Sequence, residues 1–268
     1  MFLSGAKKSC LLIGVVHVPA LPGSSGYGFD MAEIVKQSLE DAHIYQESGI
    51  DALIIENMHD VPYLAGSVAP ETVAAMTVVG QAIKSITDLP LGVQILAAAN
   101  IEALGVAVAL DLDFIRVEGY VSAHIGDEGL HQASAPHLVR RRAQLKAEKI
   151  KIFADIKKKH SSHAITADID LAETAHTAEF FKADGVIVTG LRTASAPLSE
   201  EVAEVAAAVS IPTLVGSGVT PANIEQFSNN AAGLIVGSYA KKDGYWANGC
   251  DSRRLEELVK AMPANAKG

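Results

Sequence analysis

The sequence predicts an α/β fold, a single (β/α)8 barrel over residues 1–268, on three observations. Short apolar runs and amphipathic segments alternate through the chain, which means parallel strands joined by helical crossovers. The 268 residues suit a fold that typically takes about 250. Two apolar runs near the C-terminus end in Gly-Ser, where the loops after the seventh and eighth barrel strands often build a phosphate site.

The elements follow in order. Strands are predicted over 11–16, 52–55, 91–95, 114–117, 152–156, 185–188, 213–215 and 233–236, each a short apolar run bounded by polar or glycine-containing segments. The first helix, over 30–48, carries Ile34, Val35, Leu39, Ala42 and Tyr45 at helical spacing. Helices follow over 70–86, 101–110, 137–148, 168–182, 199–209, 221–227 and 253–262. Thr220-Pro221 reads as an N-cap before proline at the first helical position. A doubly wound sheet is the structural competitor, and the number of units together with the two Gly-Ser loops favours closure. The longest irregular stretches, 19–29, 59–69, 119–136 and 157–167, all follow strands. They therefore belong on the C-terminal face, where barrel active sites lie.

Composition narrows the partners. Lys+Arg 22 against Asp+Glu 31 gives a net charge of −9, which argues against nucleic acid and anionic membrane. Aromatic residues make up 5%, too few for base-stacking platforms. No apolar run approaches the roughly 20 residues of a membrane span. Residues 1–9 are too short and polar for a secretory signal. Cys10 and Cys250 form no CxxC and read as ordinary thiols of a reducing compartment. A cytoplasmic location is expected, with an organellar form and a homo-oligomer left open.

The Gly-Ser segments point to a ligand. Gly216-Ser217-Gly218 and Gly237-Ser238 let a phosphate approach backbone N–H groups, and a following helix N-terminus would add its dipole. Polar residues at the other strand ends point to chemistry. They are His17, then Glu56, Asn57 and Asp60, then Gln94, then Arg116 and Glu118, then Asp155 and Lys157, and Thr189. Core packing alone would place Val, Ile or Leu there. Some of these charges can serve structure by pairing, Arg116 with Glu56, Glu118 or Asp155 for example.

The sharpest single piece is Asp155-Ile-Lys157-Lys158-Lys159-His160. A lysine beside a carboxylate can stabilise an enolate, donate a proton or, when desolvated, form a Schiff base. Lys157 is expected to face the site with Asp155, Lys158 to be solvated, and Lys159 is left open. His160 and His17 are candidate acid/base or phosphate-binding groups. Gln94, Asn57 and Thr189 are candidate substrate contacts. No cofactor is called for. Glu56 and Asp60, with water, offer the one place for a divalent ion such as Mg2+, and no HExxH, CxxC or EF-hand spacing occurs. GxGxxG, GxSxG and P-loop signatures are also absent.

Taken together, several strings resemble the BtpA family nearly end to end. They are Gly14-Val-Val-His17 with Leu21-Pro22-Gly23-Ser24, Ile55-Glu56-Asn57 with Asp60-Val61-Pro62, Gly92-Val-Gln94 with Asn100, and Phe114-Ile-Arg116-Val-Glu118. Asp127-Glu-Gly129-Leu130, Asp155-Ile-Lys157-Lys-Lys159-His160, Asp184-Gly185-Val-Ile-Val-Thr189-Gly190, Gly216-Ser217-Gly218-Val219 and Val236-Gly237-Ser238 complete the set. The chain departs from the pattern at Leu191-Arg192-Thr193-Ala194-Ser195, where family members often carry a Gly-rich or Thr-Gly stretch. The resemblance implies a barrel of the ribulose-phosphate-binding type, and so a TIM barrel that holds a phosphate. The family takes its name from a photosystem I biogenesis protein, which implies a second class of function.

Two functions are carried forward. One is an isomerase, epimerase or lyase acting on a phosphorylated sugar or nucleotide-like metabolite. Asp155 or Glu56 would move a proton, Lys157 and Arg116 would stabilise the oxyanion, and Gly216–Gly218 and Gly237–Ser238 would hold the phosphate. The other is a non-catalytic assembly or stability factor, with or without regulation by a ligand.

Overall fold

The computed structural model describes residues 10–263 apart from Phe29 and Leu191. The signal-peptide expectation for residues 1–9 lies outside them, as does the first residue of the departing loop. Eight parallel strands close into a barrel: β1 (Leu11–His17), β2 (Ala52–Glu56), β3 (Leu91–Gln94), β4 (Phe114–Val117), β7 (Lys151–Ile156), β9 (Gly185–Thr189), β10 (Thr213–Gly216) and β11 (Gly233–Val236). β1 pairs with both β2 and β11, in the registers His17↔Glu56 and Leu11↔Gly233, which completes the ring. The helices are α1 (Met31–Glu47), α2 (Pro70–Lys84), α3 (Asn100–Leu110), α4 (Ala135–Gln144), α5 (Leu171–Phe180), α6 (Ser199–Ala208), α7 (Ile224–Ser228) and α8 (Ser252–Ala261).

The period-2 rule sorts the core into two shells. Ile13, Val15, Ala52, Ile54, Phe114, Phe153, Ile187, Leu214 and Ile235 point inward and fill the barrel. The alternate strand residues, such as Leu12, Val16, Leu53 and Ile55, pack with the helices in a second cluster. Two inner rings, Phe114 and Phe153, meet edge to face with centroids 5.5 Å apart. The interior is therefore plugged, and any ligand is confined to the C-terminal mouth.

Two elements differ from expectation. The stretches 119–136 and 157–167, expected to be irregular, contain a three-stranded antiparallel sheet of β5 (Ala123–Gly126), β6 (Gly129–Gln132) and β8 (Ser161–Ser162). These strands are too short to show a periodic signal, and the hairpin turns at Asp127-Glu128 rather than at Asn-Gly. The second difference is the seventh helix. Thr220-Pro221 does not start it. Residues 220–223 form a turn closed by the Asn223 side chain, which accepts from Thr220 N–H and donates to Gly218 O. α7 has five residues, too few for the helix dipole expected to assist a phosphate.

Candidate active site

Seven positions at the strand ends lie two residues beyond an inward apolar residue. Val15 leads to His17, Ile54 to Glu56, Phe114 to Arg116, Phe153 to Asp155, Ile187 to Thr189, Leu214 to Gly216 and Ile235 to Gly237. Gln94, the register partner of Glu56, completes this polar layer. A cavity of about 200 Å³ opens above it, with Val15 and Ile235 among its apolar contacts. Its polar wall includes His17, Glu56, Arg116, Lys159, Ser217, Ser238 and Arg254.

Arg116 is the hub of the layer. Its Nε and Nη2 donate to the two oxygens of Asp155 at 3.0 and 2.8 Å, and Nη1 donates to Glu56 Oε1 at 3.1 Å. All three side chains are buried. Burial opposes the arginine charge, but Asp155 and Glu56 outweigh it and hold its pKa above the ordinary value. Asp155 accepts both of these bonds and does not line the cavity. Glu56 does line it. Burial raises the Glu56 pKa, only partly offset by Arg116 and Lys159.

His17 offers a base. Its Nδ1 lies 2.7 Å from Trp246 O, which can only accept, so the ring proton sits on Nδ1 and Nε2 is free to accept. A Cβ on Gly237 would lie 3.0 Å from Nε2, so that glycine makes room for the imidazole. Burial, and then the charge of Lys241, hold the His17 pKa well below its ordinary value. Lys241 is itself fully buried and ion-paired to Asp41 at 2.5 Å.

The lysine run is rearranged relative to expectation. Lys157 has φ +47°, which breaks the strand alternation and turns its Nζ to donate to Ile169 O. It lies outside the wall of this cavity and, with Asp155, lines a smaller one beside Tyr120, His124 and His163. Lys158, expected in solvent, is buried, with Nζ 3.4 Å from Glu118 Oε2 and 3.2 Å from Glu128 Oε2. Glu118 is thereby a partner of the β5–β6 hairpin rather than of the cavity. Lys159 reaches the cavity and donates to Ser217 Oγ at 3.0 Å. Burial first, and Arg116 second, lower its pKa.

Other expected contacts have structural partners. Asn57 Nδ2 donates to Asp60 Oδ2, and its Oδ1 accepts from Leu96 N–H, both at 2.8 Å. Asp60 Oδ1 accepts from Leu21 N–H, so Asn57 and Asp60 tie three loops together instead of facing a ligand or an ion. Among the described residues, no group of three or more His, Cys, Asp or Glu side chains could hold a metal ion. His160 is exposed, accepts from Thr193 N–H at 3.2 Å and pins the loop whose Thr193 borders the cavity. Ser217 and Gly218 both have positive φ, but the space a Cβ on Gly218 would need is filled by the Ala196 backbone at 2.1 Å. That glycine serves loop packing as well as the cavity edge.

Gln94 and Thr189 remain. Both amide atoms of Gln94 and the Thr189 hydroxyl are buried, with no hydrogen-bond partner among the described residues. Such atoms cost about 1–3 kcal/mol each when unsatisfied. Sequence reasoning missed Arg254, whose Nε donates to Tyr239 O at 2.7 Å while its guanidinium stacks 4.3 Å from the Tyr239 ring centroid. It comes from α8, and a scan of strand ends has no signal for it.

The BtpA family model matches residues 8–264. A Caenorhabditis elegans protein, named as mitochondrial, is 45% identical, covering 93% of this chain and 92% of its own. The photosystem I biogenesis protein BtpA of Synechocystis is 32% identical, covering 96% of this chain and 89% of its own. Among solved structures, the thiamine phosphate pyrophosphorylase of Pyrococcus furiosus superposes with a TM-score of 0.58 at 16% identity, covering 94% of each chain. That likeness extends to the fold, a (β/α)8 barrel resembling the ribulose-phosphate-binding enzymes. With the family pattern matched from end to end of the barrel, the chain belongs to the BtpA family.

Proposed function

We propose that the protein is an isomerase, epimerase or lyase acting on a phosphorylated sugar or nucleotide-like metabolite. One observation carries this. A neutral imidazole, a carboxyl with a raised pKa and cationic side chains converge on one cavity beside small-residue loops. Cores that only pack have no use for that combination, and perturbed groups of this kind cluster at functional sites. The phosphate rests on backbone N–H groups at 217–219 and 237–238, with Arg254 at the rim. Glu56 and His17 Nε2 move protons next to a substrate carbonyl or hydroxyl. Arg116, held by Asp155, stabilises developing negative charge. The free, buried Cys10 and Cys250 agree with a reducing, cytoplasmic setting.

The test is a thermal-shift screen against inorganic phosphate, ribulose 5-phosphate, dihydroxyacetone phosphate and nucleotides, with and without Mg2+. A ligand at a hundredfold excess over Kd stabilises the native state by about 2.7 kcal/mol. The expected result is a rise in Tm with a phosphorylated compound, kept in Glu56→Gln while turnover is lost. No shift with any of them sinks the proposal.

A second function, that of an assembly factor, draws support from the name of the Synechocystis relative. Val61, Leu64, Ile125, Leu130, Ile165 and Leu198 are also exposed on the loops around the barrel mouth. Ligand binding without turnover of any bound compound favours it.

A further inference from the structure

Three groups on the cavity wall fit the making and breaking of a carbon–nitrogen double bond. The first is Lys159. Its Nζ donates to the neutral Ser217 hydroxyl, whereas the adjacent Lys158 is locked between two carboxylates. Burial and then the Arg116 charge lower its pKa, with Glu56 and Asp155 opposing in part. A desolvated lysine beside a second cation is the arrangement that makes an amine nucleophilic at neutral pH. The second is His17, neutral, with Nε2 free to accept a proton. The third is Glu56, whose carboxyl lines the cavity, accepts from Arg116 Nη1 at 3.1 Å and has its pKa raised by burial. All three line the same cavity as the loops at 217–218 and 237–238.

We propose that Lys159 is a catalytic nucleophile that forms a Schiff base with a phosphorylated ketone or aldehyde. This rests on the phosphate site proposed above and narrows its substrate to carbonyl compounds. The free amine of Lys159 adds to the carbonyl carbon, forming C–N, while the C=O π pair moves to oxygen. That oxygen takes the proton of Glu56. The ammonium nitrogen then gives a proton to His17 Nε2. The hydroxyl leaves as water with the proton returned by His17, and the nitrogen lone pair closes the C=N bond. The products are a protonated imine, water and the Glu56 carboxylate, so charge and protons balance. The carboxylate is then placed to take a proton from the adjacent carbon, the step that isomerases and lyases share.

Lysine as a point-charge ligand for phosphate is the rival role for the same side chain. Reductive trapping separates the two. The full-length protein is treated with sodium borohydride in the presence of dihydroxyacetone phosphate, ribulose 5-phosphate or pyridoxal 5'-phosphate, then weighed intact and peptide-mapped. The Tm shift with inorganic phosphate is measured in parallel for the parent and for Lys159→Met. The expected result is a covalent adduct on Lys159, suppressed by excess inorganic phosphate and lost in Lys159→Arg. An adduct confined to other lysines overturns the assignment. No adduct from any probe, with the phosphate shift intact in the parent, overturns the Schiff base and leaves the phosphate site standing. If Lys159→Met then abolishes that shift, Lys159 is an anion ligand. No adduct and no phosphate shift removes both proposals together.

Discussion

Asp155 grips Arg116 at two points, 3.0 Å from Nε and 2.8 Å from Nη2, with both side chains buried in the mouth of the barrel. The pair fixes the plane of the guanidinium and turns Nη1 toward Glu56. Removing one partner of a buried ion pair costs about 3–5 kcal/mol because the other charge stays behind. Arg116→Met is therefore expected to lower stability by that order, by exposing two buried carboxylates to each other without a cation. Glu56→Gln, which removes one contact and leaves the Asp155 fork, is expected to cost less. Urea unfolding midpoints of both variants decide it, and equal losses would refute the hub role.

The lysine run gives a contrast between neighbours. Lys158→Met leaves Glu118 buried without its cation and Glu128 with only His131 Nε2 at 3.2 Å, so a loss of about 3–5 kcal/mol is expected. Lys157→Met removes one hydrogen bond from a charged donor to a backbone carbonyl, worth about 1.5–3 kcal/mol. Equilibrium denaturation of the two variants tests the order, and the reverse ranking would contradict the geometry.

Gly237→Ala would push a methyl group to 3.0 Å from His17 Nε2 and 3.4 Å from Cε1. Gly237 has φ −108°, which alanine tolerates, so the strain falls on the imidazole rather than on the backbone. Overpacking of this kind costs about 1–3 kcal/mol. The His17 ring is expected to loosen from Trp246 O, and ligand-induced Tm shifts should shrink. An unchanged imidazole NMR spectrum would show that the ring does not need this glycine.

Acid sensitivity has a definite sign. His124 stacks on His131 at 5.0 Å, and its Nε2 is buried without a partner among the described residues. Burial, and then the neighbouring histidines, lower its pKa to about 4. An unfolded histidine titrates near 6.5, at about its ordinary value. Between those values the unfolded chain binds more protons, so stability falls as pH drops from 6.5 toward 4. His124→Phe keeps the ring stacking and removes the titration. Its Tm should decline less steeply than the parent's across that window, and a parallel decline would exclude His124 as a contributor.

Much of the barrel was legible in the sequence because its signals are local. Inward residues recur every second position, so Val15-x-His17, Ile54-x-Glu56 and Phe153-x-Asp155 announce both the strand and its polar end. The Gly-Ser strand ends and the alternation of strands and helices were equally plain. The tertiary structure decided which polar ends face each other. Asp155 and Asn57 have the residue types of ligands, yet Arg116, Asp60 and Leu96 claim them. Lys157, Lys158 and Lys159 are identical in type. One positive φ at Lys157 sends the first to Ile169, the second under the β5–β6 hairpin and the third into the cavity. Arg254, on α8, joins the wall only because the helix folds back over the segment after β11, where its guanidinium meets Tyr239. Periodicity is a property of a few consecutive residues, whereas pairing and desolvation depend on groups that only the closed barrel brings together.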